Sequence, residues 1–128
     1  MKNRESSENY LKAILILQEK LSEVRSVDVA KKLGVSKPSV SNAVKKLCDE
    51  GLVEFGENHN LLLTEEGLEY AASIIERHVV LERFLTDVLE IDEKTAHDDS
   101  CRLEHVVSAE VLDKLKESLP ESPKIISE

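Results

Sequence analysis

Two short amphipathic segments hinged on one glycine constrain this 128-residue chain more than any other feature. Ser26-Val27-Asp28-Val29-Ala30-Lys31-Lys32-Leu33 has a serine cap, apolar positions three and four apart, and a stop at Gly34, a residue suited to a left-handed helix end. Ser36 then caps a second segment with Pro38 in its first turn, where a missing N–H is harmless. Val40, Ala43, Val44 and Leu47 form its apolar stripe before Gly51. The spacing predicts two short helices around a tight turn.

What flanks this pair completes a fold. Tyr10, Leu11, Ile14, Leu15, Leu17 and Leu21 repeat at helical spacing over residues 7–21. After the pair, Leu52-Val53-Glu54-Phe55 and Leu61-Leu62-Leu63-Thr64 read as strands around the polar turn Gly56-Glu57-Asn58-His59-Asn60. Helix, glycine turn, capped helix and hairpin is the order of a winged helix-turn-helix, whose second helix of the pair enters the DNA major groove. Beyond it, Thr64-Glu65-Glu66-Gly67 opens a long helix reaching about Leu89. Residues 91–107 form another, and Ala109 to Leu119 a last one broken by Pro120, with a frayed tail from Glu121. The expected class is mainly α.

Charge divides along the same line. Through Leu63 there are ten Lys and Arg against nine Asp and Glu, net +1; the remainder carries seven against seventeen, net −10. The near-neutral half can approach a polyanion, and the acidic half attracts cations. On the second helix of the pair, Ser36, Lys37, Pro38, Ser39, Ser41, Asn42, Lys45 and Lys46 lie off the apolar stripe. Serine and asparagine reach base edges, lysines neutralise phosphates, and the helix N-terminus favours a phosphate oxygen. Arg25 and Ser26 at the start of the preceding helix, and His59 in the wing, complete the predicted DNA contacts, although turn chemistry accounts for Asn58, His59 and Asn60 equally well.

The acidic half gathers soft and borderline metal ligands. In His97-Asp98-Asp99-Ser100-Cys101-Arg102-Leu103-Glu104-His105 the ligands stand at i, i+4, i+7 and i+8. At roughly 100° per residue they fall on one helix face within an arc of about 100°. His78 and Glu82 form a further i, i+4 pair on the preceding helix. Imidazole, thiolate and carboxylate together suit Fe(II), Mn(II), Co(II), Ni(II) or Zn(II), and disfavour Ca²⁺ or Mg²⁺. Cys48, within the DNA-reading helix, reads as packing. Two cysteines 53 positions apart and a start without an apolar core predict a cytoplasmic chain without disulfides, and the short apolar runs predict no membrane span.

These strings resemble the diphtheria-toxin-repressor family of iron- and manganese-dependent transcriptional regulators. The resemblance covers Glu8 to Leu119 and rests on Ser36-Lys37-Pro38-Ser39-Val40-Ser41, the wing, Arg77-His78 through Glu82-Arg83, and His97-Asp98-(x)2-Cys101-Arg102-Leu103-Glu104-His105-Val106. It implies a winged helix-turn-helix domain over 1–63, a helical metal-binding and dimerisation domain over 64–120 and a tail over 121–128, without the SH3-like third domain of larger relatives. It further implies a homodimer on a pseudo-palindromic double-stranded operator, repressing metal-uptake genes when Fe(II) or Mn(II) binds. His78, Glu82 and His97 would then hold one ion, and Cys101, Glu104 and His105 would contribute to a second, joined by Asn9 of helix one.

Two departures bear on the metal. Family members usually carry Met or Asp at the position of Asn9, and manganese-selective ones often carry Glu at that of Lys12. Asn9 still offers a carbonyl oxygen, whereas protonated Lys12 repels a cation. Cys101, the softer ligand, tilts the choice slightly towards iron or a similar ion. A winged-helix regulator with a vestigial or structural metal site stays open as an alternative. Less favoured is a small metalloenzyme with Glu104 as base, because there is no glycine-rich phosphate loop and no nucleophile motif, and hence no small-molecule substrate is expected.

Overall fold

A computed structural model of the chain describes residues 4–120; the tail predicted from residue 121 lies outside the described residues. The elements are helices α1 (Glu5–Gln18), α2 (Ser26–Leu33) and α3 (Lys37–Asp49), strands β1 (Val53–Phe55) and β2 (Leu61–Leu63), then helices α4 (Glu65–Arg83), α5 (Glu93–Leu103) and α6 (Ala109–Ser118). Internal contacts divide the chain into two compact units at Ile74 and Ile75, within α4.

The first unit is a three-helix cluster closed by a hairpin. Gly34 ends α2 at φ 69°, and its N–H donates to Ala30 O at 2.8 Å. Ser36 caps α3 by accepting from the Ser39 N–H at 3.2 Å, with Pro38 in the first turn as the sequence predicts. The predicted Ser26 cap differs: Ser26 is already helical, and the Arg25 N–H before it is held by the Asp28 carboxylate at 2.8 Å. An aspartate at the third helical position reaches back to the entering backbone, which leaves the serine no capping role. Leu11, Ile14, Val29, Val40, Val44 and Leu47 bury the inner faces of the three helices.

The strands pair antiparallel with Val53 opposite Leu63 and Phe55 opposite Leu61. Val24 adds a bridge to the outer side of β2, where the Leu61 N–H donates to Val24 O at 2.7 Å. The segment between α1 and α2 thus becomes part of the hairpin. Gly67, in the first turn of α4, lies so close to the Leu52 carbonyl oxygen that a Cβ there would overlap it.

The second unit departs from its expected outline in two places. The long helix does not run regularly to Leu89: after Arg83 it widens into a π-helical turn over Phe84–Val88, in which the Leu89 N–H donates to Phe84 O at 3.2 Å. The Thr86 hydroxyl takes up the Glu82 carbonyl at 2.9 Å and so competes within the ladder; Glu90 at φ 60° then turns the chain. The next helix spans Glu93–Leu103 rather than 91–107. Asp92 caps it by accepting from the Thr95 N–H at 3.0 Å, and its last turn tightens where the Val106 N–H donates to Leu103 O at 3.0 Å. His105 therefore sits past the helix end, off the regular arc that its spacing predicts.

A polar seam joins α1 to α4 within the first unit. The Tyr70 hydroxyl donates to buried Glu8 Oε2 at 2.5 Å and accepts from Arg4 Nε at 3.0 Å. Burial, and then the Glu8 carboxylate, push the Tyr70 phenol above its usual range. A raised folded pKa means the stabilisation is complete below the usual tyrosine value of about 10 and is lost as pH rises through the folded value. Urea midpoints measured from about pH 8 to about pH 11 should fall less steeply for Tyr70→Phe than for the parent chain. An unchanged slope would show that the seam does not couple to folding.

Candidate DNA interface and metal centre

In the first unit, Ser36, Lys37, Pro38, Ser39, Ser41, Asn42, Lys45 and Lys46 are all exposed along α3, opposite buried Val40, Val44 and Leu47. The structure thus places the predicted DNA-contact set on one solvent face. Within it, the Ser36 hydroxyl donates to Ser39 Oγ at 2.9 Å while capping the helix, so these two serines are fixed in place. Cys48 is half-buried beside that face, and burial pushes its thiol up, as expected of a packing residue.

Arg25 is exposed, but its guanidinium is engaged within the protein. Nη1 donates to Asn58 O at 2.8 Å and Nη2 pairs with Glu23 at 2.9 Å, while Asn58 Nδ2 donates to the other Glu23 oxygen at 2.9 Å. These three residues brace the wing turn against the start of α2. Sequence reasoning missed Glu23, because the partner it needs is 35 positions away. Ser26 is half-buried at the start of α2. His59 is exposed at the wing tip at φ 60°, with its ring edge-on to Phe55.

In the second unit, α4 supplies His78 and Glu82 one turn apart, and α5 supplies His97 and Cys101 in the same relation. The structure brings the four together. His78 Nε2 lies 2.7 Å from Glu82 Oε1, His97 Nδ1 lies 3.4 Å from that same oxygen, and Cys101 Sγ is 3.6 Å from His97 Nε2. The two imidazoles meet edge to face with centroids 4.9 Å apart. One ligand atom each from His78, His97 and Cys101 falls within 4.8 Å of the others, which is close enough to share one ion.

Glu104 extends this group inward. Its side chain has no exposed surface, and its carboxylate meets His78 Nδ1 at 2.8 Å and His105 Nε2 at 3.3 Å. Arg77, a residue whose role the spacing did not reveal, donates to the Glu104 carbonyl at 3.2 Å and holds the end of α5; it stands within α4, 27 positions away, so no local signal pairs it with that helix end. Cys101 thus joins the His78 and His97 group, and Glu104 links His78 to His105. Asn9 lies half-buried on α1 in the first unit.

The donor chemistry fits a cation. A neutral imidazole has one N–H, yet both nitrogens of His78 face carboxylate oxygens at hydrogen-bond distance. With the Nδ1–H donating to Glu104, the Nε2 lone pair and the Glu82 carboxylate confront each other as two electron donors. A metal ion resolves such a contact, and a carboxylate behind the ligating histidine is the usual outer support.

Two family profiles match the chain. The iron dependent repressor N-terminal DNA binding domain matches residues 4–60, and the iron dependent repressor metal binding and dimerisation domain matches residues 64–123. The chain belongs to the iron-dependent repressor family. It is 37% identical to an HTH-type transcriptional regulator of Methanocaldococcus jannaschii, covering 88% of this chain and 90% of that one. It is 36% identical to the diphtheria toxin repressor of Corynebacterium glutamicum, over 90% of this chain and 50% of the relative. Among solved structures it is similar to a manganese-dependent transcriptional repressor in complex with manganese, at TM-score 0.79 and 32% identity, over 88% of this chain and 51% of that one. The chain spans about half the length of the last two proteins. This family consists of metal-dependent DNA-binding repressors rather than enzymes. No helix among the described residues is long and apolar enough to cross a membrane.

Thiolate ligation has a spectroscopic signature. Co(II) added to the reduced chain should give a sulfur-to-metal charge-transfer band that disappears in Cys101→Ser and persists in Cys48→Ser. A band that survives Cys101→Ser would place the thiolate ligand elsewhere.

Proposed function

We propose that this chain is a cytoplasmic repressor of metal-uptake genes that binds a pseudo-palindromic double-stranded operator as a homodimer and takes Fe(II) or Mn(II) as its effector. The observation that carries this reading is the convergence of His78, Glu82, His97 and Cys101 in the unit that follows an exposed recognition helix. His78, Glu82, His97, Cys101, Glu104 and His105 are its metal-binding residues, with Asn9 as a further oxygen donor. Co(II), Ni(II) and Zn(II) fit the same mixed donor set in vitro.

Each residue has a physical task. Glu104 accepts from His78 Nδ1–H and so aims Nε2 at the ligand cluster, while Arg77 pins the backbone that carries Glu104. The bound ion supplies the positive charge that lets clustered carboxylates, thiolate and imidazoles occupy one place. On α3, Ser41 and Asn42 reach base edges, Lys45 and Lys46 neutralise phosphates, and the helix N-terminus near Ser36, Lys37, Pro38 and Ser39 receives a phosphate oxygen. Arg25, Ser26 and His59 serve the same surface, Arg25 chiefly by holding the wing.

Dimerisation follows from an apolar imbalance in the second unit. Its buried apolar side chains are Val80, Leu81, Ala96 and Leu112, whereas Val79, Leu89, Val106 and Val111 remain exposed. Surface of that kind is covered by a second copy when the operator itself has two-fold symmetry. Two recognition helices then address half-sites about one DNA turn apart, roughly 34 to 36 Å.

Fluorescence anisotropy of an operator fragment, taken anaerobically at fixed ionic strength, tests the reading. Binding should appear with Fe(II) or Mn(II) and vanish in chelator, and His78→Ala, which removes a ligand, should abolish metal activation. Equal binding in chelator would establish a metal-independent winged-helix regulator instead. Lys45→Ala should lower the slope of log affinity against log salt by about 0.9 without altering sequence preference; an unchanged slope would remove Lys45 from the phosphate contacts.

A further inference from the structure

Ser100 Oγ is the buried side-chain polar atom that no other group partners among the described residues. The residue has no exposed surface and sits in α5 between Ala96 and Glu104, both likewise fully buried. Helical serines commonly turn the hydroxyl onto a carbonyl one turn back, as Ser118 does towards Lys114 O at 3.0 Å. Ser100 does not, and buried hydroxyls without partners are rare enough to need a reason.

Its neighbour supplies one. Ser100 and Glu104 are four residues apart, with the Glu104 N–H donating to Ser100 O at 3.0 Å, so their side chains share the inner face of α5. The Glu104 carboxylate receives His78 on one oxygen and His105 on the other. A histidine nitrogen that gives its lone pair to a cation no longer donates to a carboxylate. When His105 Nε2 does so, Glu104 loses that donor, and the Ser100 hydroxyl, one turn away on the same helix face, is available to take its place.

We propose that Ser100 is a positioning residue of the metal centre, whose hydroxyl donates to the Glu104 carboxylate in the metal-loaded protein; this rests on the metal-dependent reading above. The hydroxyl holds Glu104 in its ligating orientation, and its function is expressed only when metal is bound.

Titration calorimetry of Co(II) into the full chain, parent against Ser100→Ala, tests this, with melting temperature in chelator as the second readout. The variant should bind Co(II) about tenfold more weakly, the scale on which outer-sphere partners act, while its melting temperature in chelator does not fall. Unchanged Co(II) affinity would overturn the proposal. So would a melting temperature lowered equally with chelator and with Co(II), which is the signature of a packing role. A parent chain that binds no Co(II) would overturn the metal-dependent reading itself, and with it this one; that result is visible before any variant is made.

Discussion

Both ring nitrogens of His78 lie against carboxylate oxygens, Glu104 on one side and Glu82 on the other, and the second unit is organised around that contact. One imidazole proton can serve one of them. A cation beside the other nitrogen would answer it, and ligand atoms of His78, His97 and Cys101 stand within 4.8 Å of one another there. The same contact holds α5 to α4, because Glu104 ends α5 while His78 and Glu82 stand on α4. In the proposed reading, metal binding and the packing of this small unit are one problem, because a cation at this cluster would bind the same side chains that hold α5 to α4.

The DNA-reading unit solves a different problem, which is rigidity. Its recognition helix is fixed from beneath by Val40, Val44 and Leu47 and at its start by the Ser36 cap. The wing is tied on two sides, by the Val24 bridge to Leu61 and by the Arg25, Glu23 and Asn58 brace. A wing held in this way presents His59 and its neighbours in a defined place without spending conformational entropy on docking. Arg25 thus acts within the protein's own network, holding the wing turn beside the start of α2.

Much of this was legible in the residues, where the signal is local. Gly34, the Ser36 cap and Pro38 announce the helix pair because each acts within one turn, and the ligand types of the acidic half announce a transition metal whatever their arrangement. What was not legible depends on distant partners. The role of Arg25 is decided by Asn58, 33 positions on, and the meeting of His97 and Cys101 with His78 requires two helices to be packed. The π-helical turn at Phe84–Val88 and the late start of α5 at Glu93 escape a period count because hydroxyl and capping chemistry, at Thr86 and Asp92, overrides apolar spacing. Read as a continuous helix, residues 97–105 place His105 within α5, whereas the helix ends at Leu103.

The central claim is that metal occupancy and operator binding are two faces of one equilibrium, and coupling of that kind is reciprocal. The direct test is calorimetric titration of Mn(II) into the full chain, alone and with saturating operator fragment, at constant ionic strength. The account predicts that operator tightens Mn(II) binding by at least about fivefold, the lower end of typical allosteric coupling. Identical Mn(II) affinities with and without operator would contradict it.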